Sequence, residues 1–203
     1  MSDIFKRILS SIILLPIVLY FIFAGSFYFL FFTIFCFLVS LYEWLNMVKK
    51  IYLKFLGIIF LSFSFFTFYK LAIMDILLIP LFICIFTDIG GYVFGKLFKG
   101  PKLTKISPNK TLSGSVGSLF FSILIFSIII FYFTNNFNLN ILIIGLFTSI
   151  ACQLGDLFFS FLKRKARVKD TGNLLPGHGG FLDRLDGIII GLPLGLLFII
   201  IVY

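Results

Sequence analysis

The chain has 203 residues, of which 61% are hydrophobic and only 12% charged, and its mean hydropathy is +1.17. That composition excludes a soluble globular domain and predicts one transmembrane domain over 1–203, because each helical crossing takes roughly 17 to 25 mostly apolar residues. A net charge of +9 is compatible with nucleic acid, an anionic membrane surface or a phosphate-rich substrate, and the placement of the charges decides among them.

Apolar runs separated by Gly, Pro, Asn or charge predict seven helices, at about 8 to 24, 27 to 45, 54 to 69, 73 to 94, 114 to 134, 139 to 162 and 185 to 203. The expected fold class is all-α, a polytopic integral membrane protein with about seven transmembrane helices. The first run, Ile8 to Phe23, outlasts the roughly 7 to 15 apolar residues of a secretory signal and reads as a retained helix. With the N-terminus in the cytoplasm, all of the 17 Lys and Arg except Lys70 fall on the cytoplasmic side, and the C-terminus lies on the opposite side. Topology thus accounts for most of the positive charge, and nucleic acid is not expected as a partner. Cys36, Cys84 and Cys152 each stand alone in an apolar run and read as small buried side chains.

Two segments predicted on the cytoplasmic side, 87–114 and 156–187, carry more chemistry than topology needs. Asp88, Asp156, Asp170, Asp183 and Asp186 lie in them, five of the eight acids. A carboxylate near a helix centre costs about 2.5 to 3.5 kcal/mol to insert, so Asp156 is expected to face a polar cavity or a partner. Asp156, Ser160 and Lys163 follow i, i+4, i+7 spacing and form one polar stripe, whose plainer reading is an ion pair. Asp183 and Asp186 are three apart at the start of the last helix; they read either as a helix cap or, beside a third acid, as a hard oxygen site suited to Mg²⁺. Lys163, Arg164, Lys165, Arg167 and Lys169 suit membrane anchoring as well as phosphates. In "PGHGG" the glycines let a backbone approach an anion, while His178 either fixes the loop or works as an acid, base or phosphate contact. Asp88 and Tyr92, four apart, share a helical face.

The stretch "SFLKRKARVKDTGNLLPGHGGFLDRLD", residues 160–186, resembles the signature of the phosphatidate cytidylyltransferases, also called CDP-diacylglycerol synthases. Its recurring elements are Ser160, Lys163 with Arg164, Lys169 with Asp170, Pro176 through Gly180, and Asp183, Arg184 and Asp186. The segment before it resembles the family's other cytoplasmic stretch, in Asp88, Gly91, Tyr92, Gly95, Lys96, Ser107, Pro108, Lys110, Thr111 and Gly114. It departs from that pattern at Leu112 and Ser113, where members commonly carry Trp and an acid or amide. The likeness covers the catalytic half, 86–203; the N-terminal helices, 1–80, share only its character, and the chain is shorter than most members.

The resemblance implies transfer of CMP from CTP to phosphatidate, giving CDP-diacylglycerol and pyrophosphate with Mg²⁺ and room for a second cation. On that reading Asp156, Asp183 and Asp186 bind metal and, with Lys110, are catalytic. Lys163, Arg164, Lys169, Arg184, His178, Gly179, Gly180, Ser107, Asp88 and Tyr92 would hold substrate. The expected partners are CTP, phosphatidate, the lipid bilayer and a second copy in a homodimer, at a bacterial inner membrane with the site on the cytoplasmic face. Competing readings are a lipid kinase using CTP, a cytidylyltransferase for another lipid phosphate, and an ion or phosphate transporter. The transporter fits poorly, since midplane polar residues on paired broken helices are missing from the pattern.

Overall fold

The computed structural model describes residues 3–104, 106–175, 177 and 179–202, with backbone alone for 3–11 and 15. The seven expected helices are present: α1 (Asp3–Phe23), α2 (Ser26–Met47), α3 (Ile51–Ile73), α4 (Leu78–Phe98), α5 (Leu112–Thr134), α6 (Leu139–Lys165) and α7 (Leu182–Val202). No strand occurs among the described residues, and α2 to α7 are each long and apolar enough to cross a membrane. The described apolar part of α1, Ile12–Phe23, is shorter. The protein is a polytopic, all-helical membrane protein.

Two boundaries differ from expectation for identifiable reasons. Helix α3 continues through Lys70 to Ile73 and stops where Asp75 takes a left-handed φ of 56°, so α4 starts at Leu78 and not near 73. Helix α6 runs past Leu162 because Lys163, Arg164 and Lys165 form its last turn, where cations favour the negative end of the helix dipole. It closes with Val168 N–H donating to Lys163 O and Arg167 N–H to Arg164 O, both at 3.0 Å. Arg167, at φ 60°, occupies the left-handed position that glycine takes in most such caps.

The chain divides into two compact units, Met1–Asp75 with Lys163–Leu185, and Ile76–Leu162 with Asp186–Tyr203. Residues 163–185 therefore group with the N-terminal helices. In that first unit α2 packs on α3 through aromatic rings, with Phe29 and Phe68 centroids 5.1 Å apart and Phe65 edge-on to Phe37 at 5.8 Å. Trp44 donates from Nε1 to Leu53 O at 3.2 Å, and its ring covers Gly57 so closely that any side chain there would collide with it.

The second unit is built on small residues. A Cβ on Gly114 of α5 would stand 2.8 Å from Gly91 O and 3.2 Å from Gly95 Cα on α4, and one on Gly117 would strike Phe94. On α7, Gly187, Gly191 and Gly195 repeat every fourth residue and meet Cys152, Cys84 and Pro80. Lipid tails are as apolar as leucine, so helices in a bilayer associate through such close packing and through hydrogen bonds. Those bonds are present. Thr87 Oγ1 donates to Ser149 Oγ at 2.8 Å, and Ser122 Oγ to the same oxygen at 3.0 Å. Cys36, Cys84 and Cys152 are buried and unoxidised, as expected.

The packing separates two neighbouring glycine substitutions. Gly117→Ala should lower the thermal midpoint of the purified protein, by the equivalent of about 1 to 3 kcal/mol for overpacking. At Gly91 an added Cβ would meet Ser118 Cβ only at 3.7 Å, an ordinary contact, so Gly91→Ala should hold the midpoint or raise it slightly. Equal midpoints for the two variants would contradict the close approach of α4 and α5 at Phe94.

Candidate active site

In the second unit the ends of α4, α5 and α6 and the loop between α4 and α5 enclose a cavity of about 240 Å³. Its lining includes Asp88, Gly91 and Tyr92 from α4, Asn109, Lys110 and Thr111 from the loop, Ser115 from α5, and Gln153 and Asp156 from α6. Four residues singled out from sequence, Asp88, Tyr92, Lys110 and Asp156, thus share one cavity. Lys110 Nζ lies 2.8 Å from Asp156 Oδ2 in an ion pair whose side chains are 32% and 21% exposed. The pairing expected as the plainer role of Asp156 is present, though its partner comes from the loop and not from Lys163.

The loop delivers Lys110 by local hydrogen bonding. Leu103 N–H donates to Lys110 O at 2.8 Å, Lys110 N–H to Ser107 O at 3.1 Å, and Leu112 N–H to Pro101 O at 2.9 Å. Ser107 therefore turns the loop through its backbone and is absent from the cavity lining. Thr111 caps α5, its hydroxyl accepting from Gly114 N at 3.1 Å, the usual way of satisfying a first-turn amide. Ser113, one of the two departures from the family pattern, accepts from Gly100 N at 3.2 Å and ties the start of the loop to α5. Leu112, the other, is exposed. Ser115 Oγ donates to Gln153 Oε1, linking α5 to α6 beside Asp156.

Asp186 opens the part of α7 that belongs to this unit. A Cβ on Gly155 would stand 2.8 Å from Asp186 O, and one on Gly187 3.1 Å from Asp156 Oδ1, so glycines on both helices let the two backbones meet beside these acids. The Asp186 Oδ1 atom accepts from Gly187 N at 3.0 Å.

The first unit holds the other half of the signature. Lys163 Nζ lies 2.8 Å from Asp183 Oδ1, with side chains 11% and 6% exposed. Asp183 Oδ2 accepts from Thr171 N at 2.8 Å and from Gly180 N at 3.0 Å. The contact from Gly180 is the helix-capping role that the spacing allowed. Gly179, at φ +87°, is crowded by Asp170 and by Asp183 Oδ2 at 3.3 Å, so a side chain there would be strained and would press on the carboxylate. Arg164, Lys169 and Arg184 are exposed. His178 lies outside the described residues.

Sequence reasoning missed Glu43. This α2 residue is 2% exposed, and its carboxylate accepts from Thr171 Oγ1 at 2.9 Å, Phe181 N at 2.9 Å and Leu182 N at 2.8 Å. Gly172 and Gly180 press against it, since a Cβ on either would stand 2.7 Å from one of its oxygens. The signal was available: an acid inside "LVSLYEWLNM" carries the same insertion cost that drew attention to Asp156.

Among the described residues no group of three or more His, Cys, Asp and Glu gathers as a metal site. Carboxylate oxygens are nevertheless the donors that Mg²⁺ takes. A carboxylate has about four lone-pair directions; Asp183 uses three on protein donors, and a cation there would share it with Lys163.

A profile of the cytidylyltransferase family matches residues 50–202. A Rickettsia felis protein named phosphatidate cytidylyltransferase is 38% identical over 209 residues, covering 95% of this chain and 90% of its own length. One of the same name from Rickettsia conorii is 37% identical over 207 residues, 93% of this chain and 88% of its own. A third, from Staphylococcus haemolyticus, is 47% identical over 112 residues, which are 53% of this chain and 42% of that protein. With two carboxylate–lysine pairs on an all-helical membrane scaffold and a match that takes in nearly its whole length, the chain belongs to the cytidylyltransferase family.

Proposed function

We propose that this chain is a phosphatidate cytidylyltransferase, transferring CMP from CTP to phosphatidate and releasing pyrophosphate. The observation that carries this reading is the match along 95% of the chain to a relative bearing that name. In the reaction a phosphate oxygen of phosphatidate attacks the α-phosphorus of CTP, and the bond from that phosphorus to the bridging oxygen of pyrophosphate breaks. The attacking monoester, with a second pKa of about 6, is already largely ionised near neutral pH, so no strong general base is needed.

What the protein must supply is charge neutralisation and alignment. Lys110 presents an ammonium group to the cavity, with Asn109, Thr111, Ser115 and Gln153 offering hydrogen bonds around it. Lys163, Arg164, Lys169 and Arg184 supply further positive charge, and His178, Gly179 and Gly180 are assigned to substrate binding. Mg²⁺ is proposed as cofactor, with Asp156, Asp183 and Asp186 as its ligands on donor chemistry alone. When bound it would neutralise phosphate charge and stabilise the departing pyrophosphate. The charge pattern supports an N-terminus in the cytoplasm and a site on the cytoplasmic face of a bacterial inner membrane; a homodimer completes the proposal.

The test uses the purified full chain in detergent or lipid with phosphatidate, Mg²⁺ and CTP labelled at the α-phosphorus. Label entering a CDP-lipid, with one pyrophosphate released per turnover, is the expected result. Transfer of only the γ-phosphate, giving a lipid pyrophosphate and labelled CDP, would replace this reading with that of a lipid kinase. Chelation should abolish turnover, and added Mg²⁺ should restore it.

A further inference from the structure

We infer that Glu43 is a positioning residue for the reaction, a role that rests on the function proposed above. Glu43 does not line the cavity; it acts through the loop that holds Asp183. Thr171 serves both carboxylates, its N–H donating to Asp183 Oδ2 at 2.8 Å and its hydroxyl to Glu43 Oε2 at 2.9 Å. The next shared element is a run of three amides. Gly180 N–H donates to Asp183, and Phe181 and Leu182 N–H donate to Glu43.

Of the two backbone points that fix Asp183, Thr171 is therefore bonded to Glu43 through its hydroxyl, and Gly180 precedes Phe181, whose amide Glu43 accepts. The anchor is 128 residues from Thr171 in sequence, so it ties the loop to α2 and not merely to its own neighbours. Its charge also suits the place, since the amides of Phe181 and Leu182 stand at the positive end of α7. Gly172 and Gly180 let the backbone come close to the carboxylate: a Cβ at either would stand 2.7 Å from one of its oxygens and force it to shift. The consequence for chemistry is geometric. A shift of about 1 Å in a reacting group can cost on the order of 10²-fold in rate, and Asp183 is held by Thr171 and Gly180, the first bonded to Glu43 and the second adjacent to Phe181, which is bonded to it too.

Glu43→Gln keeps the shape but leaves one acceptor oxygen for three donors and turns an NH₂ toward them. The measurements are kcat and KM for CTP and for phosphatidate, and hydrogen exchange of the peptide covering 171–182, on the full-length protein. We expect kcat to fall on the order of 10²-fold while each KM moves less than about threefold. Exchange at 180–182 should rise, and Glu43→Gln added to Asp183→Asn should cost no more than Asp183→Asn alone. Glu43→Asp, which keeps the charge on a shorter arm, should recover part of the lost kcat.

Thr171→Val guards against a Glu43 variant that does not fold. It removes the hydroxyl bond to Glu43 and keeps the amide bond to Asp183, and its expected loss in kcat is about tenfold, with a fall in thermal midpoint no larger than that of one lost buried hydrogen bond. Faster exchange with wild-type kcat, or losses that add fully to those of Asp183→Asn, would overturn the positioning role. So would a wild-type kcat in Thr171→Val. A wild-type protein that makes no CDP-lipid overturns the assigned reaction itself, a result distinct from an active wild type with an indifferent Glu43→Gln.

Discussion

Asp183→Asn is expected to lower CMP transfer on the order of 10²- to 10³-fold or more and also to destabilise the protein. The family resemblance alone would foresee only the first effect. The structure adds the second, because Asp183 is the partner of Lys163 in a pair whose side chains are 11% and 6% exposed. Removing one member of a buried pair leaves the other charge uncompensated, at a cost of about 3 to 5 kcal/mol. The two effects separate in Asp183→Asn with Lys163→Met, which removes both charges. Its thermal midpoint should recover part of the loss, since no uncompensated buried charge remains. Turnover should stay low. A double variant that regained turnover would show that Asp183 serves stability only, and a single variant keeping more than about a tenth of wild-type kcat would remove it from the catalytic set.

The second large effect is expected at the other pair, with stability and activity in the reverse proportion. Lys110 and Asp156 are 32% and 21% exposed, so breaking their pair should cost less than breaking the more deeply buried Lys163–Asp183 pair. Both nevertheless line the cavity, which the proposed reaction assigns to the substrate phosphates. Lys110→Met and Asp156→Asn should each reduce kcat/KM by about 10²-fold or more with the thermal midpoint nearly unchanged. The double variant should lose much less than the product of the two, since residues acting as one unit are non-additive. Fully multiplicative losses would mean that the 2.8 Å pair has no part in the reaction. High salt should change the wild-type midpoint little, because the pair is only partly open to screening ions.

Much of this protein was legible before any coordinates. Seven apolar runs became seven helices because a bilayer demands that each crossing satisfy its own backbone, and hydropathy records that demand residue by residue. Asp156 announced itself by its cost inside an apolar helix, and the spacing of Asp183 and Asp186 already suggested a helix start. The glycine period on α7, at Gly187, Gly191 and Gly195, was equally open to reading and was passed over. Which partner each charged group takes was not legible in the same way. Sequence placed Asp156 and Lys163 on one stripe, yet Asp156 pairs with Lys110, 46 residues earlier, and Lys163 with Asp183, 20 residues later.

The chain by itself determined the membrane class, the number of helices and the residue types that a phosphate chemistry requires, because those follow from local apolarity and from the price of burying charge. Tertiary structure alone decided the pairings. Ion pairs and amide contacts act over a few ångströms, and loop closure lets residues far apart in sequence meet at small added entropy. Glu43 illustrates the division: its burial cost is written in the helix that carries it, but its three donors come from Thr171, Phe181 and Leu182, which only the folded chain brings to it.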